Sequence, residues 1–388
     1  MSTITTTAEL AALCQRIAGQ PFATVDTEFL RETTYYPKLC LIQLASPVEA
    51  AVIDPLAPGI DLAPFFALMT DENVVKVFHA ARQDIEIIWN LGRIIPSPLF
   101  DTQVAAMVCG YGDSVSYEQL ANDFSRARID KSSRFTDWSR RPLTNQQLSY
   151  AESDVTHLRA VYLALKSQIE EKGRADWLAD EMAILGASST YEMKPEDAWR
   201  RLKGRIRKPR ELAVLMEVAA WREREAQTRD VPRSRALKDD ALVDIAVRAP
   251  RTTEAMADLR SLPKGFERSR AAAELIEAVV RGLERDPKTL PPLEKPRGRN
   301  GSAAIVDLLK VLLKAVADEA RVAPKIIATV DELDDLASDD AADVACMRGW
   351  RRDLFGERAL ALKHGKLALS LHEGEVVAKT LPWTAPAA

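Results

Sequence analysis

The chain has 388 residues, which at about 100–200 residues per domain predicts two to four domains. Apolar residues make up 47% and charged residues 28%, a balance that excludes a disordered polyelectrolyte. No apolar run approaches the ~18–20 residues of a membrane span, and the opening MSTITTTAEL lacks the basic and apolar regions of a secretory signal, so a cytoplasmic protein without a membrane partner is expected. The formal net charge of −4 is unevenly spread: residues 1–170 hold 14 basic and 20 acidic residues, whereas 200–235 hold 12 basic and 5 acidic. Cys14, Cys40, Cys109 and Cys346 lie far apart with no C-x-x-C spacing, which predicts reduced thiols rather than a zinc site or disulfide framework.

In chain order, residues 22–29, 38–45, 49–54 and 73–79 read as strands, rich in β-formers and bounded by Pro, Ser and Tyr-Tyr-Pro turns. A helix is expected over 81–91, a short strand at 99–101 and a helix over 102–109. Strands with short connections, followed by strands alternating with helices, predict an α/β domain with a mixed sheet. Thr144-x-x-Gln147 fits a capping box, and Leu148, Ala151, Val155, Leu158, Tyr162 and Leu165 then form one apolar stripe, predicting a single helix to about Gly173.

No strand is expected beyond residue 176. Asp240-x-Leu242-x-Asp244-Ile245-Ala246 recurs as Asp331-x-Leu333-x-Asp335-Leu336-Ala337, and the preceding apolar sets, Leu212, Leu215, Met216, Ala219 and Ile305, Leu308, Leu309, Leu312, share one helical spacing. Two related all-α domains are therefore expected. The Pro-, Gly- and charge-rich stretch 286–301 separates them as a linker. The expected organisation is a catalytic domain over 1–175, a helical connector over 176–204, helical domains over 205–285 and 302–375, and a tail over 376–388.

Three acidic motifs punctuate the first domain. Asp26 and Glu28 lie two apart on a strand and project from one face; such a pair is costly unless a cation compensates it. Asp84 lies one turn into the helix after the fourth strand. Tyr150 and Asp154 are i, i+4 neighbours on the capped helix. The order of these motifs, with Val25-Asp26-Thr27-Glu28-Phe29, Phe78-His79 through Asp84, and Tyr150 through Asp154, resembles the DEDD exonuclease superfamily in its tyrosine branch, and within it the bacterial ribonuclease D family. Phe100-Asp101-Thr102-Gln103 and the run Thr136 to Leu143 are also similar to that family. Ser149 stands where the histidine branch would require His, which disfavours that branch.

The resemblance implies a ribonuclease H-like exonuclease domain followed by two HRDC domains. It also implies a site in which Asp26, Glu28, Asp84 and Asp154 hold two divalent cations, Mg²⁺ or Mn²⁺, with Asp26 as the bridge. Tyr150 would orient the attacking water, since an ordinary Tyr pKa of about 10 makes a poor base at neutral pH. The implied reaction is stepwise hydrolysis from an accessible RNA 3′ end, tRNA precursors among the substrates, releasing nucleoside 5′-monophosphates. A monomer needing no ATP is expected, because no G-x-x-x-x-G-K-[ST] loop occurs. A metal-free RNA-binding adaptor and a DNA-directed 3′–5′ exonuclease are the alternatives.

Substrate contacts are expected from Phe29 and His79 beside the motifs, and from Arg134, Trp138 and Arg141 in a stretch mixing bases with aromatics, groups that pair with phosphates and stack on unpaired bases. The basic run 200–210 is a second candidate RNA surface. The segment 331–343, with seven acidic and no basic residues, is a poor one. His79, His157, His364 and His372 are too scattered for a metal cluster.

Overall fold

The β-branched and aromatic runs of the first domain pair into one six-stranded mixed sheet, ordered β1-β4-β3-β2-β5-β6. The computed structural model describes residues 2–134, 136–202, 205–293 and 303–382. The strands are β1 (Ser2–Ile4), β2 (Phe22–Leu30), β3 (Lys38–Ala45), β4 (Ala50–Ile53), β5 (Val75–Phe78) and β6 (Leu99–Asp101). The central strand β2 runs antiparallel to β3 and parallel to β5. At Glu28/Phe29 its register with β3 shifts, so that Glu28 opposes Leu41 and Phe29 opposes Leu39, with Cys40 as the extra residue. A bulge of this kind re-aims side chains on the strands it joins.

One layer against the sheet comprises α1 (Thr7–Ala18), α2 (Ala63–Met69) and α3 (Arg82–Gly92). Leu10, Leu13, Ile17, Phe65, Ile85 and Ile88 pack there against Val25, Ile42 and Leu44. α4 (Thr102–Cys109) and α5 (Tyr117–Ser125) lead to α6 (Asn145–Thr156) and α7 (Leu158–Glu171) on the other side. The Thr144/Gln147 capping box forms as expected.

The expected single helix over 144–173 is instead two, broken at His157. Carbonyls in the last turn of α6 are claimed by side chains of other elements: Thr24 donates to the Val155 carbonyl at 2.8 Å and Tyr117 to the Ser153 carbonyl at 2.7 Å. Ser153 and Thr156 hydroxyls also donate back to the carbonyls of Tyr150 and Glu152, a pattern that bends helices. The break places Asp154 in the last turn of α6.

α8 (Ala175–Leu185) and a 3₁₀ helix (Pro195–Arg201) connect to the first helical unit, α9 (Pro209–Thr228), α10 (Arg233–Ala236), α11 (Asp239–Arg248), α12 (Thr253–Ala257) and α13 (Arg270–Glu284). It has its own core of Trp199, Leu215, Val218, Leu242, Ile245 and Leu275. Residues 203 and 204 of the basic run and 294–301 of the expected linker lie outside the described residues. The second unit comprises α14 (Ala303–Ala320), α15 (Pro324–Ile327), α16 (Val330–Ser338), α17 (Gly349–Arg351), a π-helical turn (Arg352–Gly356) and α18 (Glu357–Lys363). A hairpin follows, β7 (Leu367–His372) paired with β8 (Glu375–Thr380). It corrects the expectation of no strand after 176 and carries the ordered chain past 375 into the expected tail.

Both helical units dock on the first domain. Leu309, Leu312 and Val316 of α14 share a core with Ala106, Val161 and Leu165, and Trp177 stacks on Trp350 with centroids 4.2 Å apart. Arg174 donates to the carbonyls of Val108 at 2.8 Å and Arg321 at 3.1 Å. Gly110 lies so close to this junction, at φ +94°, that an added Cβ would sit 2.5 Å from the Arg321 carbonyl oxygen. At the other junction Asp230 accepts from the backbone N–H groups of Tyr35 and Tyr36, each at 3.0 Å, and Arg233 donates to the Tyr35 hydroxyl at 2.9 Å.

Candidate active site

β5 ends at Phe78 beside the middle of β2, which runs on to Leu30, and a cleft of about 530 Å³ opens there, lined by Asp26, Glu28, Asp84, Tyr150 and Asp154. β2 presents Asp26 and Glu28 toward α6, while Val25 is buried toward α1–α3. Asp26, Glu28 and Asp154 each offer a carboxylate oxygen within 4.8 Å of the others. Asp84 is not in that group of three; it lines the same cleft, 94% buried, and accepts from the Thr27 hydroxyl at 2.5 Å.

The start of α3, and with it Asp84, is set by a neighbour. Ala80 takes a left-handed turn at φ 59° between β5 and α3. The Asp101 carboxylate accepts from the N–H groups of Ala80 at 3.1 Å and Ala81 at 2.8 Å, and also caps α4 through Gln103 and Val104.

Burial and mutual repulsion push these acids up. Asp26 rises to about 6 through burial. Asp154 rises to about 8 through burial and the charge of Asp26. Glu28 rises to about 10 through burial and the charges of Asp26, Asp154 and Asp84, and Asp84 is raised by burial and Asp26. Arg134 offsets part of this at Glu28 and Asp154. The set is anionic, oxygen-rich and undercompensated, and a donor set of that chemistry fits hard divalent cations. The Tyr150 phenol hydrogen-bonds Asp154 and is held above its ordinary pKa by burial and the adjacent carboxylates.

Of the expected substrate contacts, Phe29, His79 and Arg134 line the cleft. The Nδ1 of His79 lies 2.9 Å from the Thr102 hydroxyl, and burial lowers its pKa. Trp138 and Arg141 do not line it, which corrects that expectation. Trp138 is 2% exposed, packed with Cys40, Leu41, Val52 and Ala151 beneath Tyr150. Arg141 grips both Asp54 oxygens at 2.6 and 2.7 Å and donates to the carbonyls of Trp138, Arg140 and the bulge residue Cys40. Its guanidinium thus satisfies the bulge beside Glu28. Arg141→Ala is expected to lower stability by about 1–3 kcal/mol while substrate KM stays within about twofold, as read by denaturant melts and initial rates.

Tyr117, Gln103 and Gln83 also line the cleft and were missed from the sequence. The Tyr117 pKa is raised by burial and by Asp154 and Asp26. Ser116 caps α5, a signal that could have located the helix but not its reach across to α6. The four cysteines are buried and free, and no helix among the described residues is long and apolar enough to cross a membrane.

A mixed sheet with acids from a strand and two helices around one cleft, followed by helical units, defines a 3′–5′ exonuclease with appended helical domains. Residues 1–170 match the family model described as 3′-5′ exonuclease, and 211–279 match the HRDC domain. Ribonuclease D of Nitrobacter hamburgensis is 62% identical over 97% of this chain and 99% of its own length. Ribonuclease D of Bartonella henselae is 50% identical over 98% and 94%. The crystal structure of Escherichia coli RNase D, described as an exoribonuclease involved in structured RNA processing, superposes with a TM-score of 0.83 at 30% identity, covering 94% of this chain and 98% of that one. The chain belongs to the ribonuclease D family and is an exoribonuclease.

Proposed function

We propose that the chain trims RNA 3′ ends by two-metal-ion hydrolysis, releasing nucleoside 5′-monophosphates, with tRNA precursors and other small stable RNAs as substrates and a monomer as the acting form. The observation that supports this best is the convergence of Asp26, Glu28 and Asp154 within 4.8 Å, with Asp84 in the same cleft. These four side chains would hold two Mg²⁺ or Mn²⁺ ions. When bound there, such ions would supply Lewis-acid stabilisation of the developing charge and a lowered pKa for the attacking water. Water adds to the terminal phosphorus, the bond to the O3′ of the preceding nucleotide breaks, and that oxygen leaves as the new 3′ hydroxyl.

The protein's own groups act around that displacement. Tyr150, protonated at neutral pH and donating to Asp154, accepts a hydrogen bond from the nucleophile and so positions it without taking its proton. Arg134 faces the scissile phosphate, Phe29 packs against the terminal base, and His79 stays neutral beside it. Tyr150→Phe is expected to lower kcat by about 10–100-fold with metal affinity unchanged by calorimetry; an unaltered kcat would remove Tyr150 from the mechanism.

The order long helix, one-turn helix, short helix in α9–α11 recurs in α14–α16, which supports a second, diverged HRDC domain. Its acidic stretch 331–343 and its docking on the nuclease core favour a packing role. The deciding experiment compares 5′-labelled RNA and DNA oligonucleotides with Mg²⁺, Mn²⁺ or EDTA. RNA should shorten stepwise and the ladder should vanish with chelator; intact RNA in both metals would reject the reading.

A further inference from the structure

A second cavity, of about 410 Å³, lies where the nuclease domain meets the first helical unit, and its walls carry Arg31, Arg82, Arg93, Arg201 and Trp89. A neighbouring cavity of about 550 Å³ shares Arg31, Tyr35, Arg201 and Arg233 with it, so the two make one groove along the junction. Its acids are already engaged: Glu86 with Arg31 at 3.3 Å, Glu192 with Lys194 at 3.5 Å, Asp239 with Arg222 at 2.5 Å and Asp240 with Arg205 at 2.7 Å.

Arg82, Arg93 and Arg201 are exposed and make no ion pair among the described residues. Within the basic run 200–210, Arg200, Arg205 and Lys208 pair with Asp197, Asp240 and Glu211; Arg201 instead faces the groove. Arg93 sits over the Trp89 ring at 5.9 Å. Unpaired arginines beside an aromatic plane are the chemistry that holds single-stranded nucleic acid.

The groove and the catalytic cleft are lined by neighbouring residues of the same two elements. On β2 and the loop after it, Phe29 lines the cleft and Arg31 the groove, two residues apart, about 7 Å of extended chain. At the start of α3, Gln83 and Asp84 line the cleft while Arg82 lines the groove. A strand leaving the catalytic cleft therefore meets these cations within a few nucleotides of its 3′ end.

We propose that this junction groove is a second RNA subsite, holding the single-stranded segment upstream of the 3′ end through phosphate contacts to Arg82, Arg93 and Arg201 and a base stacked against the Trp89–Arg93 pair. The proposal rests on the RNA-trimming reading above and deepens it by placing the upstream strand. It makes the HRDC unit part of the substrate path, because Arg201 comes from the connector that leads into that unit.

The test is the double variant Arg93→Glu/Arg201→Glu in the full chain, which leaves the carboxylates and Arg82 in place. KM for a 20-nucleotide single-stranded RNA should rise at least about tenfold, with kcat and the cleavage of a dinucleotide, too short to reach the groove, within about twofold. In EDTA, binding of the same labelled 20-mer by fluorescence anisotropy should weaken, and its log–log salt slope should fall by about 1.4, at ~0.7 per lost phosphate contact on a single strand. Unchanged KM and binding for the long RNA would overturn the subsite, as would an equal loss on dinucleotide and 20-mer. Wild-type protein that shortens neither substrate would instead overturn the underlying hydrolytic reading.

Discussion

Asp84→Asn should abolish RNA trimming, lowering kcat by about 10³-fold or more, in a protein that folds at least as well as the parent. The activity loss follows from charge. Asp84 lines the same cleft as Asp26, Glu28 and Asp154, and a neutral amide is a far weaker ligand for a hard divalent cation than a carboxylate. The preserved fold follows from geometry. The amide oxygen can still accept the Thr27 hydroxyl that now meets Asp84 at 2.5 Å, so α3 keeps its tie to β2. Asp84 is held far from its ordinary pKa by burial and by Asp26, so removing its charge relieves repulsion in the metal-free protein. Circular dichroism and a melt in EDTA should show an unchanged or raised Tm, and a sequencing-gel ladder should show no shortening. Undiminished trimming by the folded variant would remove Asp84 from the metal set.

How much of this was legible in the sequence depended on whether the signal was local. Strands β2 to β6 stood out because β-branched and aromatic residues cluster between Pro, Ser and Tyr turns, and the Thr144 cap is a four-residue signal. The Asp26–Glu28 and Tyr150–Asp154 spacings fix which face each pair shares, but not that strand and helix meet; the Thr24 hydroxyl, bonded to the Val155 carbonyl, ties them together. The break was illegible because no Gly or Pro marks it. The apolar stripe runs straight through, and the donors that end α6, Thr24 and Tyr117, are distant in the chain.

Trp138 and Arg141 were misread for a related reason. Bases among aromatics have the composition of a nucleic-acid surface, yet the partners that decide their role, Asp54 and the Cys40 carbonyl, lie about a hundred residues away. The hairpin β7–β8 did carry a local signal, Glu373-Gly374 with φ 51° and 88°, the left-handed pair a two-residue hairpin turn requires. β7 also alternates, with Leu367, Leu369 and Leu371 on one face, but both strands are short and half-exposed and follow a long run of helices.

Metal should stabilise the nuclease domain, and the gain should grow with pH. With Asp26 near 6, Asp154 near 8 and Glu28 near 10, against roughly 4 for free carboxyls, the metal-free native state binds more protons than the unfolded chain between those limits. Stability therefore falls as pH rises through that window. These groups favour the native state when protonated, and the advantage is lost as the native fold is forced to carry the charges unpaired. In EDTA, Tm of the transition carrying the nuclease domain should drop by several degrees between pH 5.5 and 8.5. A divalent cation binds the deprotonated native site and competes with those protons. Its contribution is about 2.7 kcal/mol at a hundred times Kd, so at a fixed Mg²⁺ or Mn²⁺ concentration the shift should be small at pH 5.5 and large at pH 8.5. Glu28→Gln removes the carboxyl pushed up to about 10; it should flatten the fall in EDTA and also cut the metal gain. Differential scanning fluorimetry across this pH and metal grid reads both effects without turnover. A metal-induced shift of equal size at both pH values would mean that the cation binds somewhere other than this acidic cleft.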